Sequence, residues 1–319
     1  GAENGTMWAN IGKVRNTGVE VVLNTINVNT KDWHWSTSFT FSANKNEILE
    51  LQNGKEDMRA QRWFIGQPVD VIFDLEEAGI VTKEMASQEL YEKYGYFEGS
   101  MSYVDQNKDG KIDDKDRVVL GHALPSWTGT FSSSLAWKNW DLSFSIYTKQ
   151  GSKVYSPFMD EFTDYSDRGR SKLSMDFYIP EGAPIFNTFV DANGILQSDR
   201  SVVATSTHYG SYPYPTNDAA INHGGGNGWR TGKNTEFNSN GVVDNSFVKV
   251  KNITVGYTFP KTLLNKVNIQ SLRIYANVLN PFTFTKYKGF DPEWAEAQIN
   301  NGTGGPSSIA YQIGLNVKF

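Results

Sequence analysis

Seven segments of the sequence alternate apolar and polar residues with a period of two, which predicts β-strands with one apolar and one polar face. The clearest segment is the last, in which every second residue from Ile309 to Phe319 is apolar. The other six predicted strands are 18–25, 33–43, 127–138, 140–149, 253–259 and 272–278. The pattern therefore predicts an all-β chain.

Aromatic residues are concentrated at the ends of these predicted strands. Trp127 and Trp137 are ten residues apart on one face. At about 3.3 Å per residue and a tilt near 45°, that separation corresponds to a rise of about 23 Å, close to the ~25 Å apolar band of an outer-membrane barrel. Five more aromatic residues fall at strand ends: Trp33, Trp35, Trp140, Tyr257 and Phe319. A soluble β-sandwich is the alternative, although its core favours Val and Ile over aromatic ends.

The connections between the predicted strands alternate in length along the chain. Short connections lie at 27–32, 138–139 and 260–269, and long ones at 46–126, 150–246 and 280–308. Short periplasmic turns and long extracellular loops are typical of transmembrane barrels. Since such barrels have an even number of strands and must close, seven strands indicate the C-terminal part, residues 1–319, of a larger polypeptide.

Composition excludes several classes of protein. The net charge of −5 argues against nucleic-acid binding, which requires a basic surface. The chain has no cysteine, so disulfides and cysteine metal sites are excluded. No stretch has the 18 or so apolar residues of a membrane helix, but that test does not detect membrane strands, whose average is polar.

The segment DQNKDGKIDDKD has the ligand spacing of an EF-hand loop, with Gly110 at the position of the sharp turn. Its six ligand positions are Asp105, Asn107, Asp109, Lys111 (through its carbonyl), Asp113 and Asp116. The spacing predicts a structural Ca²⁺ ion in the loop 46–126. Because position 12 is Asp rather than Glu, the affinity should be low; a solvated acidic turn is the alternative. Residues 82–94 before this loop are predicted to form an amphipathic helix.

Catalytic motifs are not evident, and the chain is predicted not to be an enzyme. Its four histidines lack zinc-site spacing, and no G-x-S-x-G accompanies the run HGGGNGW at 223–229. Acidic residues that could form a glycosidase pair lie in the loop 150–246: Asp160, Glu161, Asp164 and Asp167. The same loop carries aromatic and basic residues that suit sugar or peptide binding, or simply packing of the loop: Tyr155, Arg168, Arg170, Tyr209, Tyr212, Tyr214, Trp229 and Arg230.

Over nearly its whole length the sequence resembles the SusC-like (SusC/RagA) TonB-dependent outer-membrane transporters. The resemblance rests on the order of six segments. These segments are IGQPVDVIF…AGI (65–80), YVDQNKDGKIDDKDRVVLG (103–121), PSWTGTFSSSLAWKNWDLSFSIY (125–147), FVKVKNITVGYTFP (247–260) and LRIYANVLNPFTFTKYKGFDPE (272–293), followed by the strand that ends at Phe319.

The resemblance implies a multi-pass protein of the cell outer membrane, with a plug inside a barrel of about 22 strands, of which this chain would supply seven. It implies TonB-driven import of oligosaccharides or peptides, coupled through an N-terminal part that this chain lacks. A SusD-like surface lipoprotein would be its partner, and the alternating residues up to Phe319 would signal membrane insertion. A passive porin and a soluble Ca²⁺-dependent carbohydrate-binding protein remain alternative functions.

Overall fold

The computed structural model describes residues 12–156, 176–183, 187–199, 203–214, 242–265, 269–295 and 307–319. Its seven long strands are β1 (Lys13–Asn29), β2 (Trp33–Glu50), β7 (Trp127–Trp137), β8 (Trp140–Gln150), β13 (Phe247–Thr258), β14 (Ser271–Thr285) and β15 (Ala310–Lys318). Its short strands are β3 (Val71–Leu75), β4 (Glu77–Ile80), β5 (Met101–Tyr103), β6 (Arg117–His122), β9 (Lys153–Tyr155), β10 (Asn187–Val190), β11 (Leu196–Asp199) and β12 (Val242–Asp244). The helices are α1 (Gln88–Tyr94) and α2 (Lys261–Leu264).

The seven long strands form one sheet in the order β1-β2-β7-β8-β13-β14-β15, and every neighbouring pair is antiparallel. The predicted all-β architecture with seven sequentially paired strands is therefore confirmed. Several strands are longer than predicted. The strand β2 continues to Glu50 through Asn44 and Asn46, where the apolar alternation is lost, and β14 continues past a left-handed residue, Asn280 (φ 50°).

The apolar face of this sheet carries aromatic side chains in register across its strands. Trp33 pairs with Trp137, Trp137 with Trp140, and Trp140 with Tyr257, so four neighbouring strands contribute to one row. The rings of Trp33 and Trp137 stack at 5.6 Å, and those of Trp140 and Tyr257 lie 4.8 Å apart. This aromatic row runs along the edge of the sheet where the connections are short.

The apolar face is exposed rather than packed against a second layer. Many of its large side chains are exposed, for example Phe131 at 37% and Ile313 at 82%. An exposed apolar surface of this extent marks an interaction with a membrane or a partner. Among the described residues, no helix is long and apolar enough to cross a membrane.

A second compact unit lies within the long connections and is composed of Phe73–Leu120 and Ser156–Val242. Its described core consists of five side chains: Leu75, Val81, Tyr96, Met101 and Tyr103. The helix predicted at 82–94 is wrong in its first half, because only Gln88–Tyr94 is helical. The helix begins there because the Ser87 side chain accepts the Leu90 N–H, and Gly95 ends it in a left-handed conformation (φ 77°).

Candidate functional site

The opposite face of the seven-stranded sheet is polar and its side chains are hydrogen-bonded across strands. The Ser132 hydroxyl donates to the Ser145 hydroxyl at 3.2 Å. Asn277 accepts from Thr254 at 3.0 Å, and its amide donates to Gln312 at 2.9 Å. Hydroxyl and amide groups both donate and accept hydrogen bonds, so this polar face suits contact with water and polar solutes.

One ion pair lies flat on the polar face near the short connections. The Arg273 guanidinium donates two hydrogen bonds to Asp141, Nε to Oδ1 at 2.9 Å and Nη2 to Oδ2 at 2.5 Å. Gly256 lies between them on β13, and a Cβ there would collide with the Arg273 guanidinium. Gly314 similarly leaves room for the Tyr275 ring. The two glycines therefore let the neighbouring large side chains lie against the sheet.

At the opposite end of β13, the polar face holds a buried cluster of charges, which we call the Lys249 cluster: Lys249, Lys251, Asp291 and Glu293. The Lys249 side chain is fully buried, and its Nζ donates to Asp291 Oδ2 at 2.7 Å and to Glu293 Oε2 at 2.5 Å. Lys251 Nζ donates to Glu293 Oε1 at 2.6 Å. Two strand lysines thus bind two acids of the β14–β15 connection.

The acids of the Lys249 cluster also shape their own segment. Asp291 Oδ1 accepts the Glu293 N–H at 2.9 Å, which caps a single 3-10 turn, Pro292–Trp294. Both Asp291 oxygens therefore have partners, one in the backbone and one in Lys249. Burial alone would raise the pKa of Asp291 and of Glu293. The hydrogen bonds that each accepts, from Lys249 and from other groups, together with the lysine charge outweigh burial, so both pKa values lie below their ordinary range.

Acidification is expected to release the segment Tyr287–Ala295 from the strand. Because the two carboxyl pKa values are lowered in the attached state, the ion pairs stabilise it above the ordinary values of about 4. This contribution is lost as the pH falls below about 4 through the lowered values. Hydrogen–deuterium exchange of this segment, corrected for the intrinsic pH dependence of exchange, should rise between about pH 6 and pH 3. Exchange in β7 should not change, and an equal rise in both would contradict the assignment.

The predicted cation loop has the backbone arrangement of an EF-hand at its start. Asp105 Oδ2 accepts the Gly110 N–H at 2.8 Å, and Asn107 Oδ1 accepts the Asp109 N–H at 2.9 Å. Burial would raise the pKa of Asp105, but the Gly110 N–H and the Tyr94 hydroxyl lower it overall, so this carboxylate stays ionised as a cation ligand must.

The end of the same loop is also held by side-chain oxygens that accept backbone N–H groups. The Asp116 side chain is buried, and its two oxygens accept the backbone N–H groups of Gln106 at 2.9 Å and Asp113 at 2.8 Å. Asp113 Oδ1 accepts the Lys115 N–H at 2.8 Å, so it caps the short helix Asp114–Asp116. Within the described part of the chain, no three Asp, Glu or His side chains converge as metal ligands do. Asp105, Asn107 and Asp109 accept backbone N–H groups as well, so hydrogen bonding does not separate them from Asp113 and Asp116.

Several other candidate residues named from the sequence lie outside the described residues. They are the run 223–229, the acidic residues Asp160, Glu161, Asp164 and Asp167, and the basic and aromatic residues Arg168, Arg170, Trp229 and Arg230. Of the tyrosines, Tyr209 is exposed and its hydroxyl donates to Glu84 at 2.7 Å. Its ring meets the buried ring of Tyr178 edge to face at 5.6 Å. In the described structure, Tyr209 therefore helps to pack the second unit.

The Lys249 cluster was not predicted from the sequence, although the two lysines of β13 indicated that a charged site was present. Lys249 and Lys251 follow Val248 and Val250 in a strand whose remaining polar-face residues are uncharged. Two lysines so placed require acidic partners, because a buried charge without one is costly. The sequence alone does not identify the acids that pair with them, since Asp291 is 42 positions away, beyond a turn and the strand β14.

Comparison with known proteins agrees with this geometry. No family model matches the chain. It is 25% identical over 333 residues to TonB-dependent receptor P3 of Formosa agariphila, covering 97% of this chain and 29% of the receptor. It is 26% identical over 321 residues to TonB-dependent receptor SusC of Bacteroides thetaiotaomicron, covering 99% of this chain and 27% of SusC. The chain thus spans less than a third of these relatives.

Among solved structures, the RagAB peptide transporter shares the fold, with a TM-score of 0.61 over 97% of this chain and 30% of that one, at 22% identity. A RagAB peptide importer in an open-open state gives 0.60 at 21% identity. The chain therefore shares the fold of part of the RagAB structures. More particularly, the predicted resemblance to SusC/RagA-like TonB-dependent receptors is confirmed.

Proposed function

We propose that this chain is one part of the barrel wall of an outer-membrane importer that is driven by TonB. The observation that carries the proposal is the exposed apolar face with its aromatic row, Trp33–Trp137–Trp140–Tyr257. A row of aromatic residues at one edge of an apolar face suits the interface between lipid and water. The apolar face would then contact outer-membrane lipid, and the polar face would line the lumen.

The connections give this barrel wall its orientation. The three short ones all lie at the edge of the sheet that carries the aromatic row, and this edge would face the periplasm. The loops 46–126 and 150–246 would then stand at the cell surface. The Lys249 cluster would hold the β14–β15 connection against the lumen wall near that surface, where an incoming solute passes.

The relatives suggest the substrate and the partners that we propose for the complete receptor. The substrate would be an oligosaccharide (glycan) or a peptide, and the RagAB structures, described as a peptide transporter and importer, support the second class. A SusD-like lipoprotein would meet the surface loops, and the TonB complex would act through the N-terminal part of the receptor. The role is transport without bond breaking, so no catalytic residues are proposed.

Uptake by the complete receptor tests this function. Cells that carry it should accumulate a labelled oligosaccharide or peptide of the native substrate pool, and deletion of TonB should abolish accumulation. Uptake that persists without TonB would favour a passive porin. Recovery of the complete receptor in the soluble fraction without detergent would contradict a membrane role altogether.

We also propose that the loop 105–116 binds Ca²⁺ with low affinity and so orders the surface loop. The donors are side-chain oxygens of Asp105, Asn107 and Asp109 and the Lys111 carbonyl, a set of hard oxygen ligands of the kind that Ca²⁺ prefers. The carboxylate and amide side chains of the loop accept backbone N–H groups at both its start and its end, so these groups and the ion would share the same oxygens. Their present hydrogen bonds agree with a site of low affinity.

Terbium luminescence on the complete receptor tests this cation site. Tb³⁺ should be sensitised by nearby tyrosines and displaced by Ca²⁺, and Asp109→Asn should weaken binding by removing a charge. Asp57→Asn, in the same long connection but outside the cation loop, is the matched control. Equal luminescence in the wild type and in Asp109→Asn would show that the loop is only a solvated acidic turn.

A further inference from the structure

A cavity of about 490 Å³ opens on the apolar face of the sheet, across β1, β2, β7 and β8. We call it the apolar slot. Large side chains surround it: Trp33, Trp35, Phe131, Leu135, Leu142 and Phe144. Small-ligand sites commonly have volumes of about 300–1,000 Å³, so the apolar slot is large enough for part of a small molecule.

The floor of the apolar slot is formed by a small residue among large ones. Ser133 lies on the same face as Phe131 and Leu135, and pairs with Phe144 on β8. The Trp35 indole N–H donates to the Ser133 hydroxyl at 3.0 Å. Because this bond satisfies the indole donor, the slot presents mainly hydrocarbon to whatever enters it.

A cation lies beside the apolar slot at the edge of the sheet. Lys138 is in the two-residue turn between β7 and β8, and its Nζ lies 5.4 Å from the centre of the Trp137 ring. Trp137 stacks on Trp33, which lines the slot. Lys138 makes no ion pair with any residue that the structure describes. Its charge is therefore available to an anion at the rim.

The depth of the slot relates it to one leaflet of a membrane. Ser133 is four residues from Trp137 along β7. At about 3.3 Å per residue and a 45° tilt, this separation is roughly 9 Å below the aromatic row. That is within one half of a hydrocarbon core about 30 Å thick. A chain reaching Ser133 from the rim would therefore belong to a lipid whose headgroup is level with Lys138.

We propose that the apolar slot and Lys138 together bind an anionic phospholipid of the periplasmic leaflet. An acyl chain lies in the slot over Ser133, and the phosphate lies near Lys138 Nζ at the end of the Trp33–Trp137 stack. This inference rests on the proposed outer-membrane function, because that function makes the edge with short turns periplasmic. Opposite charge selects an anionic headgroup, and the apolar lining accepts the chain.

Native mass spectrometry of the complete receptor in mixed micelles tests this site, with phosphatidylglycerol as the probe and phosphatidylcholine as the uncharged comparison. The wild type should retain one phosphatidylglycerol in preference to phosphatidylcholine. Lys138→Gln should weaken retention about five-fold, the effect of roughly 1 kcal/mol for one cation at a membrane surface. Ser133→Phe, which fills the slot, should abolish retention of both lipids above the micelle background.

Lys261→Gln is the matched control, because Lys261 begins α2 at the same edge of the sheet but away from the slot. It should retain the lipid like the wild type. Equal retention by wild type, Lys138→Gln and Ser133→Phe would overturn the lipid site. So would equal loss in Lys261→Gln and Lys138→Gln. If Ser133→Phe does not fold, the comparison of lipid retention by wild type and by Lys138→Gln, which lies in a surface turn, still tests the site.

Electrophoretic mobility before and after heating separates failure of the lipid site from failure of the proposed function. A folded outer-membrane barrel should migrate differently in detergent gels when unheated. A receptor that shows this shift but retains no lipid would overturn the lipid site alone. A receptor without the shift, recovered without detergent, would overturn the membrane function and the lipid site with it.

Discussion

Lys249→Met is expected to detach the segment Tyr287–Ala295 from β13 and to cause a large loss of local stability there. The change leaves Asp291 without the cation that its Oδ2 contacts at 2.7 Å, in a place where its side chain is only 5% exposed. Removing one partner of a buried ion pair costs about 3–5 kcal/mol, because the other charge stays buried. Hydrogen–deuterium exchange of residues 287–295 should accelerate accordingly.

Lys251→Met is the matched control for that experiment. Lys251 is on the same strand and contacts Glu293, but its side chain is 35% exposed, so water replaces it more easily. Pairs of this kind contribute about 1 kcal/mol or less. Similar acceleration in the two variants would contradict a special role for the buried lysine. The same protection as in wild type would show that Lys249 does not hold the segment.

Phe39→Arg is expected to destabilise the receptor in lipid vesicles by about 2–4 kcal/mol, the cost of an arginine on the lipid-facing surface near the bilayer midplane. Phe39 is on the apolar face of β2, six residues from Trp33 in the aromatic row. At about 3.3 Å per residue and a 45° tilt, it lies roughly 14 Å from that row, near the middle of the apolar band. Denaturant unfolding from vesicles measures the free energy.

Ser38→Arg introduces the same charge one residue earlier, on the polar face. Because successive residues of a strand point to opposite faces, this arginine should reach water in the lumen and cost little. A large loss in Ser38→Arg and none in Phe39→Arg would mean that the faces are assigned the wrong way round. Equal small effects would mean that neither face contacts lipid.

The alternation of apolar and polar residues was sufficient to predict the sheet but not the full length of its strands. The segments at 127–138 and 140–149 match β7 and β8 within one residue, because the alternation on either side of the turn is regular from Trp127 to Trp137 and again from Trp140. The strand β2 was predicted too short, because its end beyond Ser42 carries polar residues on both faces. Backbone pairing with β1 continues there, and pairing does not require an apolar pattern.

The candidate sites were predictable only where their parts are close in sequence. The EF-hand spacing lies within a single short stretch, Asp105 to Asp116, so its backbone turns could be predicted, whereas the capping role of Asp116 depends on how the loop folds. The apolar slot was not predictable, because Ser133 occurs in a run of serines, Ser132–Ser134, that gives no hint of a cavity. Its walls come from four strands in a register that only the folded sheet defines.

The central claim is that the apolar face of the sheet contacts lipid and the polar face contacts water, and spin labels along β7 test it most directly. The chain has no cysteine, so single cysteines at positions 130 to 135 can be labelled in the complete receptor in vesicles, once any cysteines elsewhere are replaced. Positions 131, 133 and 135 should be accessible to oxygen, and 130, 132 and 134 to a water-soluble nickel chelate. Apolar positions shielded from both reagents would indicate a buried sandwich core and would contradict the account.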